Sequence, residues 1–146
     1  MKLTIELVPS SCWYANVRNN VAAPIWNAIR KKVYAMAGHK CEICGTANVK
    51  LECHEIWDYN DVTFIQKLVK MIALCNNCHT VKHIRLARIK GWEERALKHL
   101  AKINNITLED AKLYVEAQFE IWSKRSTHDW TLNIVALDNY IDKGEE

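Results

Sequence analysis

Two patterns of apolar and polar residues mark the first 40 residues of the chain. Polar and apolar side chains alternate over residues 2 to 8, which predicts a strand. After Pro24, apolar side chains recur at helical spacing, which predicts a helix over residues 24 to 37. We therefore expect an N-terminal part, residues 1 to 40, that consists of a strand and a helix.

The pattern changes several times in the middle of the chain. Alternation over residues 49 to 56 predicts a strand, and residues 57 to 61 are typical of a turn. The apolar run from 64 to 74 is ambiguous, and we expect a short helical turn followed by a strand. A helix is then predicted from about residue 78 to residue 89, where a glycine follows closely.

Residues 84 to 146 are predicted to form a helical C-terminal extension. An amphipathic stripe begins at Trp92, and Thr107 starts a segment that resembles a capping box and opens a second helix. Residues 130 to 137 predict either a short strand or an irregular return along the core. The helices on both flanks are expected to pack on the central region, so residues 1 to 146 are predicted to form a single α+β domain.

Composition indicates the class of protein and the cellular compartment in which we expect it. The chain has 49% hydrophobic and 25% charged residues, which is typical of a globular domain, and its net charge is +3. The N-terminus lacks the apolar region of a signal peptide, and no stretch is long enough to span a bilayer. We therefore expect a cytoplasmic protein without a membrane partner. The mostly acidic residues from 142 to 146 are predicted to be a solvated tail.

Four of the six cysteines occur as two pairs with the same spacing. Cys41 and Cys44 form the first pair, and Cys75 and Cys78 form the second. Each pair can bend into a knuckle that offers two thiolates, and two knuckles supply the four ligands of a tetrahedral structural zinc site. A reducing compartment disfavours the alternative, in which the cysteines form disulfides.

Histidines occur inside this cysteine frame. His79 follows Cys78 directly and His83 comes four residues later, so a helix would place both imidazoles on one face, where they can hold one ion. His54 and Glu55 lie at the end of the first central strand. The sequence thus predicts two metal sites, a sulfur cage for structure and an open nitrogen and oxygen site for chemistry.

The cysteine pairs, the segment from 51 to 56 and the two histidines of the following helix together resemble the zinc-containing branch of the HNH endonucleases. The resemblance covers residues 41 to 83. It implies a small ββα-metal core with structural zinc knuckles, flanked by helices, and an enzyme that hydrolyses DNA phosphodiester bonds. By this resemblance His54, His79 and His83 bind the catalytic ion, and Glu55 takes the position of the general base.

The resemblance also implies the chemistry. A divalent ion, Mg²⁺ or Mn²⁺, would stabilise the charge that develops on the scissile phosphate, while the base deprotonates a water molecule. A site with two or three imidazoles would also suit Ni²⁺ or Zn²⁺.

This sequence departs from the HNH pattern at two positions. Glu55 stands where the base is normally a histidine, and Lys70 stands where an asparagine normally fixes the loop and orients the base. Three alternatives stay open: Glu55 is the base, His54 is the base in a strand shifted by one residue, or the site no longer cuts. In the second alternative, the group beside the metal is one of Cys53, Glu52 and Asp58.

A basic stripe adjoins the predicted site. Its members are Lys82, Arg85, Arg88 and Lys90, and we expect them to contact phosphates. The predicted partner is therefore DNA, and the first-choice function is a metal-dependent HNH-type endonuclease. The alternative is a non-catalytic, zinc-stabilised module of the same fold that binds nucleic acid or protein. No dimer face is evident from the sequence.

Overall fold

A computed structural model describes residues 1 to 12 and 17 to 141 of the chain. Within these residues the fold is mixed α+β, as the sequence predicts. A sheet contains, in this order, the strands β1 (Glu52–Asn60), β2 (Ile65–Leu74) and β3 (Thr131–Asn133). The α-helices are α1 (Val17–Asn20), α2 (Ala23–Met36), α3 (Asn76–Lys82), α4 (Ile84–Ile89), α5 (Glu93–Asn104) and α6 (Leu108–Arg125). The predicted tail from 142 to 146 lies outside the described residues.

The central element is an antiparallel hairpin of β1 and β2. Its turn depends on Asn60, whose side-chain Oδ1 accepts hydrogen bonds from the backbone N–H groups of Val62 and Thr63 at 2.9 and 3.0 Å. A shift of register between Ile56 and Trp57 interrupts the ladder, as a β-bulge does. The hairpin lies between the two cysteine pairs in the sequence, and Cys75 follows directly after the end of β2.

Two predictions about this hairpin are wrong. The turn predicted at 57 to 61 is strand as far as Asn60, and the segment from 64 to 74 contains no helical turn, because β2 begins at Ile65. The turn lies just before that segment, where the N–H of Phe64 donates to the carbonyl oxygen of Asn60 at 2.8 Å. Along β1 side chains of successive residues point to opposite faces, so Asp58 is exposed while Trp57 is buried. This mixture of polar and aromatic residues resembled a turn in the sequence.

The strand predicted at residues 2 to 8 does not form. Leu3 and Ile5 are buried, as the alternation predicts, but the described structure includes this N-terminal segment in no sheet. Its backbone N–H groups bond to the helical region instead, since Glu6 donates to the carbonyl oxygen of Lys82 and Ile5 donates to the Tyr114 hydroxyl, both at 3.0 Å. Alternation identifies the buried side of a segment but not the kind of element that buries it.

The helix predicted from 78 to 89 is two helices. α3 begins at Asn76, earlier than predicted, and ends at Lys82. His83, with φ −97° and ψ 49°, lies outside helical geometry and separates α3 from α4. The break leaves Val81 and Ile84 buried on either side of it. His83 is therefore presented from a bend rather than from the middle of a helix.

The C-terminal helices agree with the sequence. Thr107 caps α6, because its side-chain oxygen accepts a hydrogen bond from the backbone N–H of Asp110 at 3.0 Å. The segment predicted at 130 to 137 contains both alternatives: β3 pairs with β2 in parallel, and a 3₁₀-helix follows at Val135–Asn139. No helix in the described part of the chain is both long enough and apolar enough to cross a membrane.

Helices cover both faces of the hairpin. One apolar cluster, which includes Leu74 and Leu100, joins the hairpin to α3, α5, α6 and the N-terminal segment. The other cluster, which includes Ile29 and Leu68, joins the opposite face to α1, α2 and the C-terminal return. Because successive strand residues point to opposite faces, His54 faces α3 whereas its neighbour Cys53 packs in the second cluster.

Candidate metal centres

The first cysteine pair lies in a tight turn before the hairpin. The backbone N–H of Gly45 donates to the carbonyl oxygen of Cys41 at 2.9 Å, and the N–H of Cys41 donates to that of Thr46 at 3.0 Å. Gly45 has φ 75°, a conformation that favours glycine. The N–H of Glu42 donates to the carbonyl oxygen of Ala73 at 2.9 Å and so fixes this turn beside the end of β2.

The second cysteine pair lies where β2 meets α3. Cys75 is the N-cap residue of α3 and Cys78 lies in its first turn. The four Sγ atoms of Cys41, Cys44, Cys75 and Cys78 all lie within 4.8 Å of one another. Those of Cys44 and Cys75 are 3.6 Å apart, close to the edge of about 3.8 Å expected for a tetrahedron with 2.3 Å metal–sulfur bonds. The cluster is therefore compatible with a metal such as zinc.

The electrostatics of this cluster also favour a cation. Burial raises the pKa of Cys78, and the other three cysteines raise it further. Burial also raises the pKa of Cys44, but hydrogen bonds from Thr46, Cys41 and Cys75 outweigh it and lower that pKa to about 6. Four thiolates repel one another in a partly buried site, and a divalent ion removes that penalty by pairing with all of them.

His99 is a neighbour of the sulfur cluster that the sequence analysis missed. Its Nε2 lies 3.3 Å from Sγ of Cys78, close enough for an N–H···S hydrogen bond. The residue comes from α5, 21 positions after Cys78, and no spacing motif links the two. Only the packing of α5 on α3 brings them together.

The structure brings the three predicted histidines together. Ligand nitrogens of His54, His79 and His83 lie within 4.8 Å of one another, and the Nε2 atoms of His79 and His83 are 3.0 Å apart. Two ligands of one ion at 2.0–2.1 Å are typically about 3.0–3.4 Å apart, so this separation suits shared coordination. The histidine cluster consists of one residue from β1, one from α3 and one from the bend after α3.

His54 is the most informative member of this histidine cluster. It is 2% exposed, and among the described residues neither of its ring nitrogens has a hydrogen-bond partner. A buried polar group without a partner is expensive in free energy and is rare in folded proteins. Its position between two other imidazoles gives a lone pair that a cation can use, so the residues present fit a metal ion.

The protonation of the histidine cluster is also suited to a ligand. Burial lowers the pKa of His54 well below its usual value, and the charges of His83 and His79 lower it further. Burial, followed by the charge of His79, lowers the pKa of His83 to about 4. Both rings are therefore neutral at neutral pH and keep a free lone pair.

Glu52 orients the ring of His79. Its Oε2 lies 3.0 Å from Nδ1 of His79, so Nδ1 donates the hydrogen bond and Nε2 is free to face the other histidines. A carboxylate behind a ligating histidine is a common arrangement in metal sites, where it fixes the tautomer. Glu52 therefore contacts the histidine cluster through Nδ1 of His79 and is not itself a member of the cluster.

The structure does not bring Glu55 into the histidine cluster. Its Oε1 instead accepts a hydrogen bond from the backbone N–H of Val17 at 3.2 Å, at the start of α1. Burial raises the pKa of Glu55 from its usual value. Cys53 and Asp58 belong to neither of the two groups of potential metal ligands found among the described residues. Cys53 packs in the second apolar cluster, where burial raises its pKa to about 12.

Lys70 does not lie in a loop that an asparagine could fix. It is an exposed residue in the middle of β2, paired with Ile56 across the hairpin. The side chain that holds the turn of the hairpin is that of Asn60, six residues beyond His54 on β1. The side chain that stabilises a turn is therefore supplied by Asn60, at a different position from Lys70.

The basic stripe is not a uniform phosphate-binding surface. The prediction for Lys82 is wrong: it is 3% exposed, and its Nζ donates to Oγ1 of Thr4 at 2.8 Å and lies 3.6 Å from the carboxylate of Glu6. Lys82 is buried because it shares the inner face of α3 with Val81 and Cys78. It supports the N-terminal segment rather than facing a ligand.

The other members of the stripe differ in whether an acidic side chain already neutralises their positive charge. Arg88 is ion-paired with Glu93 at 2.7 Å and Glu116 at 2.8 Å. Arg85 lies over the ring of Trp122, and Lys90 lies over the ring of Trp92, and both are exposed. Arg85 and Lys90 are therefore the stripe residues that remain suited to a phosphate.

Comparison of this chain with protein-family models, with curated proteins and with solved structures finds no match.

Proposed function

We propose that this chain is a metal-dependent endonuclease of the HNH type that hydrolyses DNA phosphodiester bonds around a zinc-stapled ββα-metal core. The observation that carries the proposal is the convergence of His54, His79 and His83 next to the four-cysteine cluster. One cluster is closed by four sulfurs and suits structural zinc, and the other offers three imidazoles and partial access to solvent. This division into a structural and a reactive site supports hydrolysis.

The donor set of the histidine cluster favours a particular class of ion. Three neutral imidazoles suit Zn²⁺, Ni²⁺ or Co²⁺ better than Mg²⁺, which prefers oxygen ligands. When bound, such an ion supplies Lewis-acid stabilisation to the negative charge that develops on a phosphate. We therefore expect Zn²⁺, Ni²⁺ or Co²⁺ to support activity at lower concentration than Mg²⁺ or Mn²⁺.

The residues of the chain divide the remaining work. Glu52 holds the ring of His79 in one tautomer, and Arg85 places a positive charge on the groove that contains His83. Glu55 is the first candidate for the general base, since a raised pKa brings a carboxylate closer to the pH at which it works. That role requires its carboxylate to leave the backbone of Val17 when substrate binds.

The experiment is a nicking assay on supercoiled plasmid DNA. Zinc-loaded protein is incubated with Mg²⁺, Mn²⁺, Ni²⁺ or Co²⁺, beside His79→Ala and a matched control, His39→Ala, which removes an exposed histidine outside both clusters. We expect metal-dependent nicking that His79→Ala loses and His39→Ala keeps. Nicking that survives in His79→Ala would exclude the histidine cluster as its source.

A second function, a non-catalytic zinc module that binds nucleic acid or protein, is favoured by the position of Glu55. Its carboxylate bonds to the backbone of Val17 instead of meeting the histidines. The same assay distinguishes the two functions when DNA binding is measured in parallel by gel shift. Binding without nicking under every ion supports the module and excludes the enzyme.

A further inference from the structure

A cavity of about 320 Å³ lies between the N-terminal segment, β1 and α6. Four aromatic residues line it: Trp57, Tyr59, Tyr114 and Trp122. The cavity is too large to be a packing defect between side chains, and it is at the lower end of the range for small-molecule sites. It lies outside both metal-binding clusters, and nothing in the proposed hydrolysis uses it.

The aromatic walls are held in place by their own polar atoms. The indole Nε1 of Trp122 donates to the carbonyl oxygen of Val8 at 2.9 Å, and the hydroxyl of Tyr114 accepts from the N–H of Ile5 at 3.0 Å. The Tyr59 hydroxyl accepts from Nε2 of Gln66 at 3.2 Å. Because these rings are anchored, the walls of the cavity are fixed before a ligand binds. The guanidinium carbons of Arg125 and Arg85 lie over the rings of Tyr59 and Trp122, 4.8 and 5.0 Å from the ring centroids, so a stacked ligand would lie beside these cations.

Two of the polar side chains on the wall can form hydrogen bonds with the edge of a planar ligand. Gln118 contributes an amide with a donor and an acceptor, and Glu6 contributes a carboxyl group. Rigid aromatic rings combined with an amide and a carboxyl group are the chemistry that recognises a heteroaromatic ring with its own donors and acceptors. A nucleobase has this chemistry, and it presents a flat face to stack and a polar edge to hydrogen-bond.

The cavity is connected to the histidine cluster. A neighbouring groove contains His83 and Arg85, and this groove shares Glu6 and Leu7 with the cavity. Arg85 also lies over the ring of Trp122, with its guanidinium carbon 5.0 Å from the ring centroid. The positive charge of Arg85 thus belongs both to the groove that contains His83 and to the aromatic wall at Trp122, and it can pair with a phosphate of a strand that extends from one to the other.

We propose that this aromatic cavity binds an unstacked nucleobase of the strand whose phosphate lies at the histidine cluster. The inference rests on the proposed function for the position of the phosphate, but base binding itself needs no cleavage. A base inside a duplex is stacked and paired, so it cannot enter a cavity of this kind without being extruded. The preferred substrate is therefore single-stranded or locally distorted nucleic acid.

The test uses a single-stranded oligonucleotide that carries one 2-aminopurine, a base analogue whose fluorescence falls when it stacks. Protein loaded with one zinc ion per chain, enough to fill only the four-cysteine cluster, is titrated without any further divalent ion, so that binding is read in the absence of cleavage. We expect quenching, and we expect unlabelled single strands to compete better than duplex of the same sequence. Absence of quenching at every position of the label overturns the proposal.

Variants locate the binding to the cavity. Gln118→Trp fills the space, and we expect it to weaken binding about tenfold and to remove the quenching. The control is Leu113→Trp, which adds a ring on an exposed part of the same helix and should bind as the wild type does. Equal binding by Gln118→Trp and Leu113→Trp overturns the proposal.

A second variant keeps the test decisive if Gln118→Trp does not fold. Gln118→Leu keeps the volume but removes the amide, and we expect it to retain quenching while losing preference among the four bases. An unchanged preference excludes the role of Gln118. The outcomes also separate the two proposals: quenching without nicking retains the base site and rejects the nuclease, whereas nicking without quenching does the reverse.

Discussion

His54 is a residue at which folding stability and the proposed metal binding act in opposite directions. Its buried ring has no hydrogen-bond partner among the described residues, and burial keeps it neutral. Replacing a buried polar group that lacks a partner with an apolar one of similar size removes its desolvation penalty. His54 is therefore the residue at which stability and metal binding are most directly in conflict.

We predict that His54→Leu stabilises the zinc-loaded protein by about 1–3 kcal/mol when no second ion is present. The measurement is urea unfolding with and without added Ni²⁺. The wild type should gain stability on adding Ni²⁺ through mass action, whereas the variant should gain clearly less, because only His79 and His83 remain to bind the ion. A variant that is less stable than the wild type without Ni²⁺ would show that His54 has a structural role instead.

Glu52 gives a prediction about affinity rather than stability. Glu52→Gln removes the carboxylate that accepts from Nδ1 of His79, and we expect the affinity of the histidine cluster for Ni²⁺ or Zn²⁺ to fall about 10- to 100-fold. Isothermal titration on zinc-loaded protein measures this. Asp58→Asn, an exposed carboxylate on the same strand, is the matched control and should bind normally. Equal losses in both variants would point to general electrostatics.

The residues also show what the sequence could reveal at this scale. The two cysteine pairs and the pair His79 and His83 were predictable because ligand spacing is a local property of knuckles and helix turns, whereas His54 was predicted from the resemblance to the HNH endonucleases. The burial of Lys82 was not, because it depends on Thr4 and Glu6, which lie far away in the sequence. The partner of Glu55 was hidden for the same reason.

Among the elements, α5 has a role that its amphipathic pattern does not reveal. It packs on α3 and carries His99 to the sulfur of Cys78. A hydrogen bond to a thiolate withdraws charge from the sulfur and alters its bond to a metal. The helical extension is thus coupled to the sulfur cage through one imidazole.

We predict that His99→Phe shifts the sulfur-to-metal charge-transfer bands of Co²⁺-substituted protein and speeds loss of the ion to a chelator. His99→Gln keeps an N–H donor and should restore most of the wild-type spectrum. Lys98→Gln, which changes an exposed side chain on the same helix that pairs with Glu94, is the control. If His99→Phe and the wild type have identical spectra, the imidazole only packs against the sulfur.

The elements differ in how well their patterns predict them. α2, α5 and α6 were predictable because their apolar stripes or end signals are local. The N-terminal segment and the break at His83 were not, since each is decided by tertiary partners: the segment bonds to Lys82 and Tyr114, and the break allows Val81 and Ile84 both to be buried. Tertiary contacts overrode periodicity at these points.

At the scale of the whole molecule, the sulfur cluster ties the turn before the hairpin to the start of α3. Apolar clusters pack on both faces of the hairpin, and the turn that carries Cys41 and Cys44 packs against the first of them and is bonded to β2 through Glu42, whose N–H donates to the carbonyl oxygen of Ala73 and whose carboxylate accepts from the Ala73 N–H. Under the proposed function, bound zinc provides the link that closes this turn onto α3. Its removal should therefore affect the entire fold.

We predict that Cys75→Ser, or a strong chelator, abolishes cooperative thermal unfolding of the protein, because metal-binding free energy is part of the folding free energy. Near-ultraviolet circular dichroism during heating measures this. Cys53→Ser, outside the sulfur cluster, is the matched control and should keep both zinc and cooperativity. A cooperative transition in fully zinc-free protein would mean that the apolar clusters suffice.

Cys78 and His79 are consecutive residues, so one peptide unit belongs to both clusters. Under the proposed function, an ion held by the four thiolates would fix the start of α3 and, through it, the position of His79. Zinc would then bind to the cysteines before the histidine cluster reaches its full affinity for a second ion. A freshly synthesised chain would, on this proposal, become active on nucleic acid only after that first step.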